Sequence, residues 1–253
     1  MQVYDRSPGD GASTRPTAKS DGSPLTEADT SSHDCIVAAL TERFPHIPVI
    51  SEEDDDAAAR ARPLGAAAWW LVDPLDGTKE FVKRSGEFTV NIAYVEAGVP
   101  LAGVVLAPVT GMVWSGYAQE ARRDGPDGAT AISIRPCPAG VPGRIVASRD
   151  HAGAAVRALL EALPQAETVS VGSSLKFCLV ADGRADLYFR DGPTMAWDTA
   201  AAHAVLRAAG GEVYGLEGTP LTYPMSRLRN PPFVAVGDRS LAWRHWLPPH
   251  PAP

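Results

Sequence analysis

The sequence has few cysteines and no long apolar segment. Only three of its 253 residues are cysteine. They are far apart, and no CxxC pair or Cys/His cluster occurs, so neither a disulfide framework nor a zinc site is indicated. No uninterrupted apolar run approaches the roughly 20 residues of a membrane-spanning helix. The polar start, MQVYDRSPGDGAS, lacks the apolar centre of a signal peptide. We therefore expect a protein of the reducing cytoplasm without a transmembrane segment.

Positive charge is also in the minority. Lysine and arginine number 23 against 30 aspartates and glutamates, and the formal net charge is −7. This balance argues against a nucleic-acid-binding surface, although a local basic pocket for a small anion remains compatible with it. The sequence contains no GxxxxGK[ST] loop and no glycine-rich dinucleotide fingerprint, which excludes the common phosphate-transferring NTPases. Its length suffices for one large domain or two closely joined lobes.

The first half of the chain predicts a helix followed by antiparallel strands. Thr26-Glu-Ala-Asp29 has the form of a capping box, and apolar residues at helical spacing behind it predict a helix over 27–44. Residues 69–72 predict a buried strand that breaks at Asp73-Pro74. Further strands predict an antiparallel meander over 88–95, 101–106, 112–117 and 131–135.

The second half alternates short strands with helices. The predicted strands are 144–147, 185–189 and 233–236, and the predicted helices are 153–163, 174–182 and 199–209. A change from a meander to alternating elements near residue 140 predicts an α+β fold of two lobes, 1–138 and 139–253.

Acidic residues at the ends of these elements are the candidates for chemistry. They are Asp29, Glu52, Asp73, Asp76 and Asp198. The sharpest pair is Asp73 and Asp76, three residues apart on the turn Asp73-Pro-Leu-Asp-Gly-Thr78. Two such carboxylates repel each other unless one takes up a proton. Mg²⁺ ions bound between them remove that cost, because hard cations prefer several oxygen ligands.

Each acidic residue also has a purely structural interpretation. Asp-Pro and Asp-Gly are common turn dipeptides, and the acidic run after Ser51 resembles a solvated loop. Asp198 fits a helix N-cap, and Asp29 completes the capping box. These alternatives stay open for each residue singly, whereas one shared metal site accounts for all of them together.

The motifs carrying these residues resemble those of the inositol-monophosphatase superfamily over residues 1 to about 237. The matching segments are Lys19–Asp29, Ser51–Asp54, Trp70–Phe81 and Trp197–Ala201. The versions GTKEF at 77–81, GSSLKFC at 172–178 and DLYFR at 186–190 resemble its 3′(2′),5′-bisphosphate nucleotidases of the CysQ type. The resemblance implies a layered αβαβα sandwich with the active site between two lobes. It also implies Mg²⁺-dependent, lithium-sensitive hydrolysis of the 3′-phosphate of adenosine 3′,5′-bisphosphate and of 3′-phosphoadenylyl sulfate, in sulfur metabolism.

The same resemblance implies roles for single residues, with two or three Mg²⁺ ions per site. Glu52, Asp73 and the Leu75 carbonyl would hold one Mg²⁺, and Asp73, Asp76 and Asp198 a second. Glu52 and Thr78 would position and help deprotonate the attacking water, with Asp29 supporting Thr78. The amides of Gly77 and Thr78 would hold the phosphate. The remaining implied substrate contacts are His151, Ser173, Lys176, Arg190 and Asp198.

Two departures from the family pattern stand out. Family members carry a long helix before the segment that matches Met1–Asp5, and we expect the corresponding face here to expose apolar surface. The family often has Ser-His where this chain has Asp150-His151, which weakens the assignment of His151.

Two other functions stay open at the level of the sequence. One is an inositol- or sugar-phosphate phosphatase with the same metal site. The other is a non-catalytic nucleotide- or Mg²⁺-binding regulator. The resemblance further implies a monomer or homodimer, with a possible peripheral location at the inner face of the membrane.

Overall fold

A computed structural model describes residues 1, 4, 17–18, 24–55, 63–147 and 153–247. The helices of the described residues are α1 Glu27–Arg43, α2 Thr78–Val82, α3 Ala154–Ala162, α4 Leu175–Ala181, α5 Ala196–Ala208 and a 3₁₀ helix Trp243–Trp246. The strands are β1 Thr17–Ala18, β2 Pro24–Leu25, β3 Val49–Ser51, β4 Ala68–Asp76, β5 Thr89–Glu96, β6 Val99–Ala107, β7 Met112–Tyr117, β8 Glu120–Gly125, β9 Gly128–Ala131, β10 Arg144–Val146, β11 Glu167–Val169, β12 Leu187–Arg190, β13 Glu212–Gly215 and β14 Phe233–Val236.

Two large sheets carry the fold, and β1 and β2 form a small antiparallel pair besides. The first sheet has the order β3-β4-β5-β6-β7-β8-β9, with β3 parallel to β4 and the other neighbours antiparallel. The second has the order β11-β10-β12-β14-β13, in which β10 is parallel to both its neighbours. The first three strands of the predicted meander, 88–95, 101–106 and 112–117, are therefore confirmed as antiparallel neighbours.

Helices α4 and α5 lie between the two sheets. Helix α5 contacts β4 to β7 of the first sheet and β13 of the second, and α4 packs against α5, β12 and β14. Helix α1 covers the other face of β3 and β4, whereas α3 and the 3₁₀ helix cover the outer face of the second sheet. The layers are therefore helix, sheet, helix, sheet, helix, which confirms the predicted αβαβα sandwich.

Strand β14 shows why a central strand of the second sheet is apolar at every position. Phe233 and Ala235 join the core that contains α4 and α5, whereas Val234 and Val236 join the core beneath α3. Successive side chains of a strand point to opposite faces, so a sheet with helices on both faces needs a continuous apolar run.

Glycines in the first sheet allow α5 to lie unusually close. A Cβ on Gly103 would lie 2.1 Å from the carbonyl oxygen of Ala201, and one on Gly116 would lie 2.6 Å from Cα of Val205. The facing side of α5 is rich in buried alanine. This close approach brings the start of α5 to the end of β4, where the site lies.

Several predicted boundaries need correction. The strand predicted over 131–135 is wrong, because β9 ends at Ala131 and residues 132–135 leave the ladder. Strand β8 was missed, since its sequence EARRDG is charged, as is usual for strands near a sheet edge. Helix α5 begins three residues before the predicted 199, so Asp198 lies in its first turn rather than before it.

Other expectations can be compared only in part. None of the three cysteines forms a disulfide. Among the described residues, no helix combines the length and apolar character needed to span a bilayer. The division into lobes 1–138 and 139–253 stays a prediction.

Candidate active site

Three carboxylates meet where the first sheet approaches the start of α5. One oxygen of each of Glu52, Asp73 and Asp198 lies within 4.8 Å of the other two. Glu52 follows β3, and its backbone N–H donates to the carbonyl of Val72 on the parallel strand β4 at 3.0 Å. Parallel pairing thus sets Glu52 beside Asp73, and the first turn of α5 supplies Asp198. Three of the predicted metal ligands therefore lie together.

A β-bulge separates Asp73 from Asp76. Asp73 pairs with Asn91 and Asp76 with Thr89, so three steps along β4 oppose two along β5. Inside the bulge the N–H of Leu75 donates to Oδ1 of Asp73 at 3.0 Å. An extra residue re-aims the side chains of a strand, and here it places Asp76 beside the three-carboxylate group rather than within it. The predicted turn after Asp73 is thus an irregular continuation of β4.

Gly77 joins this strand to helix α2. Its φ of 92° lies in the left-handed region, which glycine adopts without a steric penalty. Thr78 begins α2 immediately afterwards, so its hydroxyl is held close to the bulge and contacts the carbonyl of Leu75 at 3.4 Å.

Asp29 serves the capping box and the site at once. Its Oδ2 accepts from the backbone N–H of Thr26 at 2.8 Å and from the Thr26 hydroxyl at 2.5 Å. Its Oδ1 accepts from the Thr78 hydroxyl at 3.2 Å. The carboxylate is fully buried. The structural and functional interpretations of Asp29 are therefore compatible, because each uses a different oxygen.

Burial and mutual repulsion make the acidic group unfavourable by itself. Burial first, and then the charges of Glu52, Asp76 and Asp198, raise the pKa of Asp73 well above its ordinary value. Burial and the charge of Asp76 likewise raise the pKa of Asp198, although the N–H of Met195 opposes the shift. Divalent cations offset such repulsion, and hard carboxylate oxygens are the ligands they prefer. The residues present therefore fit a site for a divalent cation.

A cleft of about 430 Å³ adjoins this group. Its lining includes the predicted substrate residues Gly77, Ser173, Lys176, Arg190 and Asp198. His151 lies outside the described residues, so its predicted role stays a prediction.

Lys176 and Arg190 are basic side chains that line the same cleft as Asp76 and Asp198. Nζ of Lys176 donates to the carbonyl of Ser173 at 3.1 Å and lies 5.9 Å from the centre of the Tyr188 ring. Burial lowers the pKa of Lys176, although the charge of Asp76 opposes the shift. Nε of Arg190 is buried without a hydrogen-bond partner among the described residues. An anion in the cleft would offer a hydrogen-bond acceptor to Nε of Arg190 and a negative charge that favours the charged form of Lys176.

Sequence reasoning missed several residues that surround Asp76. Its Oδ2 accepts from the backbone N–H and the hydroxyl of Ser174, and Thr89 and Asn91 lie beside it. Single serine, threonine and asparagine residues give no signal in a sequence. The cleft is also lined by Glu80 and Glu87, which look like ordinary helix and loop charges.

Comparison with known proteins places the chain among its relatives. A family model described as the inositol monophosphatase family matches residues 5–242. The chain belongs to this family. As a member, it is 46% identical over 237 residues to the 3′(2′),5′-bisphosphate nucleotidase CysQ of Shigella flexneri, covering 92% of each chain. It is 35% identical to the protein of the same name from Haemophilus influenzae, covering 89% of this chain and 85% of that one.

Solved structures of this family share the fold. The crystal structure of CysQ from Bacteroides thetaiotaomicron has a TM-score of 0.77 and 37% identity, covering 94% of this chain and 91% of that one. A crystal structure of SaIMPase-II bound to 2′AMP has a TM-score of 0.70 at 22% identity, covering 84% of this chain and 79% of that one, which is a likeness of fold alone. The recognition of the family and its fold from the sequence is thus confirmed.

The raised pKa values of Asp73 and Asp198 predict a pH-dependent effect of divalent cations on stability. An unfolded aspartate has a pKa of about 3.9, and the pKa of each of these two aspartates is higher in the folded state. The cation-free protein therefore loses stability as the pH rises from the unfolded pKa to the folded pKa. Mg²⁺ competes with this protonation. Its stabilisation, about 2.7 kcal/mol at one hundred times Kd, should therefore be larger at pH 8 than at pH 5.5 at equal Mg²⁺ concentration.

Thermal unfolding with Mg²⁺ and with EDTA at both pH values measures this effect. The Asp73→Asn variant is the control, and we expect it to lose most of the cation-dependent shift. A shift in the unmodified protein that is equal at the two pH values would contradict the electrostatic account.

Proposed function

We propose that the chain is a Mg²⁺-dependent 3′(2′),5′-bisphosphate nucleotidase, which removes the 3′-phosphate of adenosine 3′,5′-bisphosphate to give AMP. One observation carries the proposal: a single cleft is lined both by Asp76 and Asp198, which belong to or adjoin the carboxylate group, and by the basic side chains Lys176 and Arg190. Such a cleft suits a substrate with two phosphates, one near the cations bound by the carboxylates and one near the basic side chains. The 46% sequence identity to a protein named 3′(2′),5′-bisphosphate nucleotidase supports the same substrate class. We extend the proposal to 3′-phosphoadenylyl sulfate.

The proposed metal ligands divide into two sets. Glu52, Asp73 and the Leu75 carbonyl would hold one Mg²⁺, and Asp73 would share a second with Asp76 and Asp198. We propose two or three ions per site. When bound, Mg²⁺ polarises the phosphate oxygens, acidifies water and neutralises developing charge.

Thr78 and Asp29 have the geometry to orient the attacking water. The Thr78 hydroxyl directs its single hydrogen to Oδ1 of Asp29 at 3.2 Å. The lone pairs of its oxygen are then available to accept a hydrogen bond from water. Because Asp29 is fully buried and tied to Thr26, this orientation is fixed before substrate binds.

The reaction needs no covalent enzyme intermediate. Glu52 accepts a proton from the water oriented by Thr78, and the water oxygen bonds to phosphorus as the bond from phosphorus to the ribose 3′ oxygen breaks. The 3′ oxygen takes up a proton from a second water and leaves as a hydroxyl, and Glu52 returns its proton to the hydroxide that remains. The amides of Gly77 and Thr78 hold the phosphate oxygens during the transfer.

Lys176 is positioned to bind the second phosphate. Its contact with the Ser173 carbonyl uses one of its three hydrogens and leaves two for a ligand. A phosphate beside Lys176 also favours its charged form, which offsets the effect of burial.

The first test compares phosphate release from adenosine 3′,5′-bisphosphate and inositol 1-phosphate. We expect release that depends on Mg²⁺, is abolished by EDTA and strongly favours the nucleotide. Asp76→Asn should lose it, because one charged ligand disappears. A preference for inositol 1-phosphate would favour an inositol-phosphate phosphatase instead. Nucleotide binding by the folded protein without release of phosphate would favour a non-catalytic regulator.

If Lys176 and Arg190 bind the second phosphate, replacing either should reduce activity only toward substrates that carry that phosphate. Arg190→Gln and Lys176→Met should each lower kcat/KM for adenosine 3′,5′-bisphosphate by about 10–100-fold, the effect of losing a charged hydrogen bond. For adenosine 3′-monophosphate, which lacks the second phosphate, kcat/KM should change little. Arg122→Gln on strand β8, outside the cleft lining, is the matched control. Equal losses with both substrates would assign these residues to folding or to the reacting phosphate.

The proposed role of Thr78 predicts a loss in kcat rather than in KM. Thr78→Val removes the hydroxyl while keeping the shape of the side chain, and kcat should fall by about 10²–10⁴-fold. Thr78→Ser keeps the hydroxyl and should retain most of the activity. Steady-state kinetics at saturating Mg²⁺ measures both. Similar kcat values for the two variants would mean that the Thr78 hydroxyl does not orient the water.

A further inference from the structure

The carboxylate of Asp76 is held by a group of donors from strand β5 and from the turn before helix α4. Its Oδ2 accepts from the Ser174 N–H at 2.7 Å, the Ser174 hydroxyl at 2.9 Å and the Ser173 hydroxyl at 2.5 Å. Thr89 and Asn91 on β5 add longer contacts at 3.3 and 3.5 Å. These bonds all end on the same oxygen. The orientation of the carboxylate is therefore fixed by the protein.

Ser174 reaches a second predicted metal ligand as well. Its hydroxyl lies 2.6 Å from the backbone carbonyl of Asp198 and 2.9 Å from Oδ2 of Asp76. Asn91 in turn donates from Nδ2 to the Ser174 oxygen at 2.9 Å. A hydroxyl has one hydrogen, so it alternates between the two acceptors while Asn91 holds the oxygen in place. Ser174 thus links a residue of the first sheet to one of the central helix.

This contact is not explained by the start of helix α4. Ser174 stands at the N-cap of α4, but its side chain makes no capping hydrogen bond to that helix. Both Ser174 and Asn91 are almost completely buried, with 2% and 1% of their surface exposed. Burying two polar side chains is unfavourable unless they are hydrogen-bonded, and the bonds they form converge on Asp76 and Asp198.

We propose that Ser174, held by Asn91, is a positioning residue for the cation site. It fixes Oδ2 of Asp76, leaves the other oxygen for the cation, and sets the spacing between Asp76 and Asp198. The inference rests on the proposed function only in taking these two aspartates as ligands of one Mg²⁺. Partners that orient metal ligands in this way raise affinity because less reorganisation accompanies binding.

Calorimetric titration with Mn²⁺ tests the proposal without any substrate. Ser174→Ala should weaken at least one Mn²⁺-binding step by about 10–100-fold, as is typical when a partner of a metal ligand is lost. Asn91→Ala should act in the same direction, and the double variant should be little worse than Ser174→Ala because both act through one hydroxyl. Ser115→Ala on β7, far from Asp76, is the matched control.

A kinetic measurement separates positioning from a general effect on folding. The Mg²⁺ concentration for half-maximal release of phosphate should rise in Ser174→Ala, while kcat at saturating Mg²⁺ falls much less. If Ser174→Ala does not fold by circular dichroism, Asn91→Ala carries the test under the same criterion. Mn²⁺ affinity equal to that of Ser115→Ala would overturn the proposal, whatever the change in melting temperature. Wild-type protein that binds Mn²⁺ but releases no phosphate would instead refute the proposed function alone.

Discussion

The constraint on which the site depends is the mutual repulsion of carboxylates that the fold forces together. Glu52, Asp73 and Asp198 come from three separate elements, and their oxygens lie within 4.8 Å of one another. Asp73 is almost completely buried and Glu52 and Asp198 are half-buried, which limits the screening of their charges by water. Two packing features hold the carboxylates in this unfavourable arrangement. Strand β3 pairs in parallel with β4, and helix α5 packs closely against Gly103 and Gly116. A cation that binds between the carboxylates then stabilises a geometry the apolar core has already imposed.

Asp29, Asp73 and Asp198 each use a carboxylate oxygen to accept a hydrogen bond from a nearby backbone N–H. Asp29 gives one oxygen to Thr26 and the other to Thr78. One oxygen of Asp73 accepts from the N–H of Leu75, and one of Asp198 accepts from the N–H of Met195 at 2.7 Å. The bonds from Thr26, Leu75 and Met195 belong to local motifs, capping boxes or a bulge, that would exist without any chemistry, whereas the bond from Thr78 joins residues 49 positions apart. The structural and functional interpretations that compete at the level of the sequence are therefore two uses of one side chain.

The parts of the molecule that could be predicted from the sequence have a periodic apolar pattern or a strong local motif. The capping box at Thr26 gave helix α1 to within one residue of its end, and the motif at Asp73 gave the acidic pair. The charged strand β8 was missed, because its sequence EARRDG, next to the edge strand, does not alternate between apolar and polar residues. Ser174 and Asn91 could not be found, since their importance arises from contacts across 83 residues of sequence. Distances between elements are set by packing, which a local pattern does not contain.

Under the proposed function, short-range contacts in the cleft would let a net acidic protein select a substrate with two phosphates. The whole chain carries a formal charge of −7, so long-range attraction does not favour anions. Selection must then come from short-range partners. Mg²⁺ held by the carboxylates would reverse the local sign of the charge. Among the described residues, Nε of Arg190 is buried without a hydrogen-bond partner and Nζ of Lys176 donates to the Ser173 carbonyl, so both could also bind an anion. A substrate with a single phosphate would pair with only one of these two sets of groups. Buried polar groups that a ligand leaves unpaired penalise that ligand, which would contribute to discrimination.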